Sequence, residues 1–286
     1  MTVDLLFQST VLGLSMGAIY ILMALGLTLM FGMMHIINFA HGAIYMLGAF
    51  AIYYLFAQAG IPYVLAFLFT LLLLGAFGLI IERVIYRPLG GGIEPTLVAL
   101  LALTTLLESS GYLVFGVLDK NVPTVFPGVI HAGGVNLSVE RLITIPVVAV
   151  MVVALHVFMQ MTKTGQAMRA IEQDKEAAAL QGVNVDRINA LAFGIGFALA
   201  AAAGALMAPV FAVNPSMGEL PLLKAFIIII LGGLGSVPGA ILGGVILGLI
   251  DGILATALGF ELAFLLSFVL IILILLVKPQ GLLGHA

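Results

Sequence analysis

Residues 5–81 read LLFQSTVLGLSMGAIYILMALGLTLMFGMMHIINFAHGAIYMLGAFAIYYLFAQAGIPYVLAFLFTLLLLGAFGLII. No Asp, Glu, Lys or Arg occurs in this stretch. A hydrocarbon layer about 30 Å thick takes ~20 apolar helical residues, so the stretch holds about three spans. Two polar or Pro-marked breaks divide it: the cluster His35, Asn38, His41, and Ala59-Gly60-Ile61-Pro62. Spans are therefore expected at 5–31, 41–56 and 62–81.

The rest of the chain agrees. Of its 286 residues 63% are hydrophobic and 8% charged, and the mean hydropathy is +1.29. A soluble domain carries about 25% charged residues, so no water-soluble fold could hide this much apolar surface. The sequence predicts an all-α integral membrane protein. The net charge of −3 says little, because charges are so few. The lack of Cys excludes disulfides, zinc–thiolate sites and thiol catalysis. The start, MTVDLLF, has no basic n-region, so a cleaved signal peptide is not expected.

After residue 81 comes ERVIYRPLGGG, with Arg83, Arg87 and a Pro/Gly stop. Further spans are expected at 95–117, 142–161 and 188–213, the last closed by Asn214-Pro215. The connection 118–141 reads as a weakly polar loop with Pro123, Pro127 and a Gly133-Gly134 turn. Two spans or half-spans flank Gly232 to Gly239, and a final span at 260–277 is stopped by Lys278-Pro279. The total is eight or nine crossings with broken or re-entrant segments. Placing Arg83 and Arg87 inside also puts Lys163, Arg169, Lys175, Arg187 and Lys278 inside, leaving Lys120, Arg141 and Lys224 outside. Seven against three favours this orientation, with the N-terminus outside and the C-terminus cytoplasmic.

Residues 163–187, KTGQAMRAIEQDKEAAALQGVNVDR, form an island of charge, four acidic and four basic residues. That balance argues against a basic tether to anionic lipid. Good helix formers fill 166–180, and Ala167, Met168, Ile171, Ala178 and Ala179 can form one apolar side. Gly182 is a natural stop. The segment reads as a short amphipathic helix under the membrane; the alternative is a solvated loop, unusually long for one.

Two apolar stretches carry breaks. In MMHIINFAHGAIYMLGAF (33–50), Asn38 and His41 need partners or a water-lined cavity at membrane depth. A helix restarting near Gly42 would aim free N–H groups inward; the plainer reading is a cytoplasmic turn. In LGGLGSVPGAILGGVILGLIDG (231–252), Gly235, Gly239 and Gly243, then Gly244, Gly248 and Gly252, repeat GxxxG spacing, which permits close helix approach. Pro238 suits a first helical turn. Tight packing alone explains this stretch as well as a transport role does. His41-Gly42-Ala43-Ile44 echoes Pro238-Gly239-Ala240-Ile241, and this weak match predicts an internal repeat with paired broken helices.

No P-loop or HExxH occurs, so the chain is expected to be no enzyme and to hold no metal, cofactor or nucleic acid. Glu108, Asp251 and Glu261 are the acids within apolar stretches. Glu261 fits an interface; Glu108 and Asp251 could relay protons, with no basic partner in their own spans. A proton-coupled secondary transporter is therefore one alternative. An aquaporin-like channel is another, since Asn38-Phe39-Ala40 and Asn214-Pro215-Ser216 resemble NPA boxes. Against it, Asn214 is expected to end a span and to open no half-helix.

Five motifs in order carry a more specific resemblance: Ile37-Asn38-Phe39-Ala40-His41-Gly42; Glu82-Arg83-Val84-Ile85-Tyr86-Arg87-Pro88-Leu89; residues 169–187; residues 231–244; and Lys278-Pro279-Gln280-Gly281-Leu282. The chain resembles, nearly end to end, the permease subunits of branched-chain amino acid ABC importers of the Liv type, H subunit. The resemblance implies a single permease domain over 1–286 in a bacterial inner membrane. It also implies four kinds of partner: a second related permease, two ATPase subunits that use the ATP, a periplasmic amino-acid-binding protein, and membrane lipid. The substrate implied is a branched-chain amino acid, although related systems carry other amino acids, amides or urea. Importers of this class have a cytoplasmic coupling helix with an EAA-x3-G core, and Glu176-Ala177-Ala178 followed by Gly182 matches it. The usual I-x-LP continuation is absent; Asn184-Val185-Asp186-Arg187-Ile188 stands there. The resemblance thus implies a coupling helix at about 163–187, moving as one rigid lever, with Arg169, Glu172, Asp174, Glu176, Ala177, Ala178, Gly182 and Arg187 coupling to the ATPase. It implies a pathway near Asn38, His41, Gly42, Gly232, Gly233, Gly235, Ser236 and Gly239.

Overall fold

The computed structural model describes residues 3–90, 92–132, 135–278 and 280–283. The expected Gly133-Gly134 turn, the Pro279 stop, Gly91 and the first two residues lie outside these. Eleven helices are described: α1 (Val3–Met34), α2 (His41–Ile52), α3 (Tyr63–Ile81), α4 (Ile93–Phe115), α5 (Val139–Met161), α6 (Lys163–Gln173), α7 (Lys175–Leu180), α8 (Val185–Met207), α9 (Glu219–Gly232), α10 (Val237–Leu258) and α11 (Phe260–Val277). Wider π-helical turns extend α2 over Tyr53–Gln58 and α3 over Glu82–Tyr86.

Six of these helices are long and apolar enough to cross a membrane: α1, α3 with its extension, α4, α5, α8 and α10. The expected count of eight or nine is not confirmed. The apolar stretch Phe260–Ile274 of α11 is shorter. At 14 residues α9 has the length of a half-span, while its neighbour α10 has 22. The connection 118–141 is not all loop. Strands β1 (Val129–Ala132) and β2 (Val135–Ser138) pair antiparallel, Val129 opposite Ser138, and α5 starts three residues earlier than expected.

The core is made by α1 and α8. In their most apolar 18-residue windows 83% and 78% of residues are buried, against 28%, 17%, 22% and 28% in α3, α4, α5 and α10. These two helices therefore touch mostly protein, and those four present exposed apolar faces. Small residues make this possible. Ala200 to Ala203 are wholly buried, and Gly204 lies against the backbone of Tyr45. Packing in lipid gains from contact between close backbones, because lipid tails are as apolar as leucine.

The second glycine series does what its spacing predicts. Gly244, Gly248 and Gly252 of α10 face Gly13 and Gly17 of α1. A methyl carbon at Gly13 would stand 2.5 Å from the Gly248 carbonyl oxygen, and one at Gly17 2.7 Å from that of Gly244. Only glycine allows two helix backbones to lie this close. No other pair of elements is in more extensive contact than α1 and α10.

The expected split of the basic residues follows the two ends of the bundle. Arg87 at the end of the α3 extension bonds Asp186 in the first turn of α8 at 2.5 Å. Lys163, Arg169 and Lys175 lie between α5 and α8, at this same end. Lys278 belongs there too, because the backbone N–H of Leu282 donates to Leu231 and that of Leu283 to Gly232. Lys120 pairs its backbone with Val213 at the far end of α8. Lys224 lies with Arg141 at that far end too, as a buried residue within α9.

Candidate functional site

The charged segment is two helices, which corrects the expected single one. Asp174 is the cause. Its backbone is extended, at φ −157° and ψ 108°, and its carboxylate accepts from the N–H groups of Glu176 and Ala177 at 2.9 Å each. Aspartate is among the strongest N-caps, so it ends α6 and starts α7. Thr162 caps α6 in the same way, its hydroxyl oxygen accepting from Gly165 N–H at 3.0 Å. Gly182 has φ +86°. Its N–H donates to Ala179 and that of Val183 to Ala178, the two bonds of a left-handed helix stop.

The apolar side is mostly as expected. Met168, Ile171 and Ala178 are buried, Ala167 is partly buried, and Ala179 is exposed. Of the residues expected to couple, Arg169 donates to Gln160 at the end of α5 at 2.5 Å. Glu172 reaches across to the glycine break: a methyl carbon on Gly32 would lie 3.2 Å from its Oε1, and one on Gly235 3.6 Å away. Asp174 is occupied by capping. Glu176, Ala177 and Arg187 face outward. Leu180, at the tip of α7, is 88% exposed. No sequence signal singled it out, because a lone leucine in an amphipathic segment reads as an inward-facing residue.

Both expected breaks are present. His35 sits at φ +54°, and α2 restarts at His41. Asn38 and His41 are fully buried. The Asn38 Oδ1 accepts from Ala40 N–H at 3.0 Å, and its Nδ2 donates to Met30 Sδ at 3.3 Å. The His41 ring packs on Gly26 and edge-on to Phe197, and neither ring nitrogen has a hydrogen-bond partner among the described residues. Gly42 lies on the Gly218 carbonyl and on Leu222. At the second break Gly233 and Gly235 have φ +102° and +85°. Gly232 packs on Gly239, and the Ser236 hydroxyl oxygen caps α10 by accepting from Gly239 N–H at 3.1 Å. The two groups pack on different partners, and neither lines the two cavities described below.

The far end holds what the sequence concealed. Lys224 Nζ donates to Asp251 Oδ1 at 2.9 Å, with the two side chains 4% and 15% exposed. Ser267 of α11 donates to the same oxygen at 2.5 Å. Asp251 therefore does have a basic partner, on another helix. The available signal was two lone charges of opposite sign in separate apolar stretches. A carboxylate held by Lys224 and Ser267 is poorly placed to relay protons. Asn214 is followed, five residues on, by the short helix α9, contrary to expectation. Its amide donates to Asp119 at 3.2 Å, so it shares no partner with Asn38.

Comparison with known proteins follows this geometry. A family model described as the permease component of branched-chain amino acid transport systems matches residues 9–275. The chain is 38% identical over 294 residues to the high-affinity branched-chain amino acid transport system permease protein BraD of Pseudomonas aeruginosa, covering 97% of this chain and 95% of that protein. It is 36% identical over 288 residues to the corresponding protein LivH of Escherichia coli, covering 96% and 94%. A probable LivH of Methanocaldococcus jannaschii is 27% identical over 232 residues, covering 77% and 72%. Among solved structures, PsaBC from Streptococcus pneumoniae in complex with Fab aligns over 97% of this chain and 91% of that one, with a TM-score of 0.45 and 14% identity.

Proposed function

The chain belongs to the family of permease components of branched-chain amino acid transport systems, and we propose that it forms half of the membrane pathway of an ATP-driven importer for aliphatic amino acids. A second related permease completes the pathway, two ATPase subunits dock on the α6–α7 end, and a binding protein delivers substrate at the opposite end. The charged end is then cytoplasmic.

The observation that carries this reading is the shape of α6–α7. The inner piece, α6, is anchored through Met168 and Ile171, 0% and 2% exposed. The outer piece, α7, carries Glu176-Ala177-Ala178 and ends on the exposed Leu180 and the left-handed Gly182. A short helix capped at both ends, held out from an anchored neighbour, is a rigid element that a partner can seat on, with Leu180 at its tip. When the ATPases close on ATP, α7 moves with them and α6 follows. Glu172 passes the movement to the Gly233–Ser236 turn, where α10 begins. That helix slides along α1 on the glycine seam, which has few side chains to interlock. Specific affinity resides in the binding protein, so the permease needs few contacts with substrate.

The test is uptake of labelled L-leucine by the complete importer in proteoliposomes. ATP inside should drive accumulation with every ion gradient collapsed by ionophores. Accumulation driven by a proton gradient without ATP would instead favour the secondary transporter.

A further inference from the structure

A substrate handed over by a binding protein enters at the end away from α6–α7. At that end a cavity of about 260 Å³ lies among α1, α5, α9, α10 and α11. Arg141, near the start of α5, is roughly 30 Å along the helix from Met161 and the charged segment, at 1.5 Å per residue. The cavity is smaller than the ~300–1,000 Å³ of pockets for drug-sized ligands, which suits a single small metabolite.

Its charges do not balance. Arg141, Lys224 and Asp251 all line it. Lys224 and Asp251 neutralise each other at 2.9 Å. Among the described residues Arg141 has no carboxylate within salt-bridge distance, and its guanidinium lies 5.8 Å from the ring centre of Phe211. Its chain neighbour Glu140 turns away, accepting from Val125 N–H at 2.6 Å and lining a different, almost wholly apolar cavity. A cation in so apolar a setting calls for an anion. Most of the remaining wall is hydrocarbon and aromatic, including Met16, Phe260 and Phe264, with the hydroxyls of Tyr20 and Thr256 beside it. Lys224 Nζ already lies 4.9 Å from the Phe264 ring centre, so this wall also accepts a cation.

Resting on the importer reading, we propose that this cavity is a way-station for the amino acid. Its carboxylate sits on Arg141, its ammonium group beside Asp251 and Phe264, and its aliphatic side chain against Met16 and Phe260. The carboxylate then meets a cation that no side-chain carboxylate neutralises, the ammonium group shares Asp251 with Lys224, and the branched hydrocarbon has an apolar wall.

The absence of Cys makes the test direct. Ala255 lines the cavity. Ala255→Cys in the complete importer, in phosphatidylcholine nanodiscs, gives a single probe in this chain for a methanethiosulfonate reagent. Millimolar L-leucine should slow its modification. 3-Methylbutylamine, which lacks the carboxylate, should not. Arg141→Gln should raise the leucine concentration for half-protection about tenfold or more, the loss of one charge-assisted hydrogen bond, and Arg141→Lys should recover most of it. The analogue comparison needs no change at Arg141, so it stands even where Arg141→Gln misfolds. Equal protection by the amine, unchanged protection in Arg141→Gln, or protection by phosphatidylglycerol with none by leucine would overturn the proposal. Accumulation of leucine by an importer whose cavity leucine does not protect removes this inference alone. Carboxylate-dependent protection without ATP-driven uptake removes the importer reading alone.

Discussion

The carboxylate of Glu172 lies against Gly235, so the charged segment touches the turn from which α10 departs. Gly235 is at φ +85° and packs on Gly32 of α1, so three elements meet there and Glu172 supplies the side chain against both glycines. If this contact carries movement, Glu172→Ala should lower leucine transported per ATP hydrolysed. Glu172 is exposed, so the melting temperature should barely change, within ~0.5 kcal/mol of stability. A normal transport ratio in the variant would remove Glu172 from the route.

The seam between α1 and α10 should not tolerate bulk. At Gly248 an added methyl carbon would stand 2.5 Å from the Gly13 carbonyl oxygen, with no flexible side chain to give way. Gly248→Leu should cost ~1–3 kcal/mol or more, read as a lower melting temperature of the purified chain in detergent. Gly60, which has open space around it, is not a fair control because its φ is +69°. Leu242→Ala, at an exposed position of the same helix, changes size outside the Gly13 contact and is the better comparison.

Lys224 and Asp251 should prove coupled in stability. Removing one partner leaves a buried charge alone, at a cost of ~3–5 kcal/mol, whereas replacing both with apolar residues is often neutral. Lys224→Met and Asp251→Leu should each lower the melting temperature sharply, and the double variant should regain most of the loss. Additive single effects would mean that the 2.9 Å contact does not hold α9 to α10.

Much of this was legible in the sequence and some was not, for separable reasons. Composition and the charge-free run 5–81 dictate a membrane fold, because every backbone polar group must be satisfied within helices. The glycine seam follows from GxxxG spacing, although its partners Gly13 and Gly17 are only four residues apart in an otherwise ordinary apolar helix. The division of α6 from α7 was visible in principle, since Asp174-Lys175-Glu176 is a capping sequence, but propensity summed over 166–180 outweighed one residue. The Lys224–Asp251 pair joins residues 27 apart in sequence on two different helices, which no local pattern reports. The expected count of eight or nine spans is not confirmed for a related reason. Length and hydropathy do not say whether α2 or α9 crosses or merely enters the bilayer.

The two caps of α7 give a graded test. Gly182→Ala forces a side chain into φ +86°, at about 1–2 kcal/mol, while Gly182→Asn should be milder because Asn accepts that conformation more readily. Asp174→Ala removes the cap of two N–H groups, worth ~1 kcal/mol, and Asp174→Asn should retain most of it. The order of coupling efficiency in vesicles should follow the order of local stability. Equal coupling in all four variants would mean that α7 need not keep its shape.

The most direct test of the account is ATP-driven leucine uptake, with ion gradients collapsed, by the complete importer carrying Leu180→Asp in this chain. Leu180 is exposed, so the chain itself should fold as before. A charge on the tip of α7 should weaken docking of the ATPase, abolishing accumulation while ATP hydrolysis no longer responds to the loaded binding protein. Uptake and stimulation equal to the unaltered importer would contradict the assignment of α6–α7 as the coupling element.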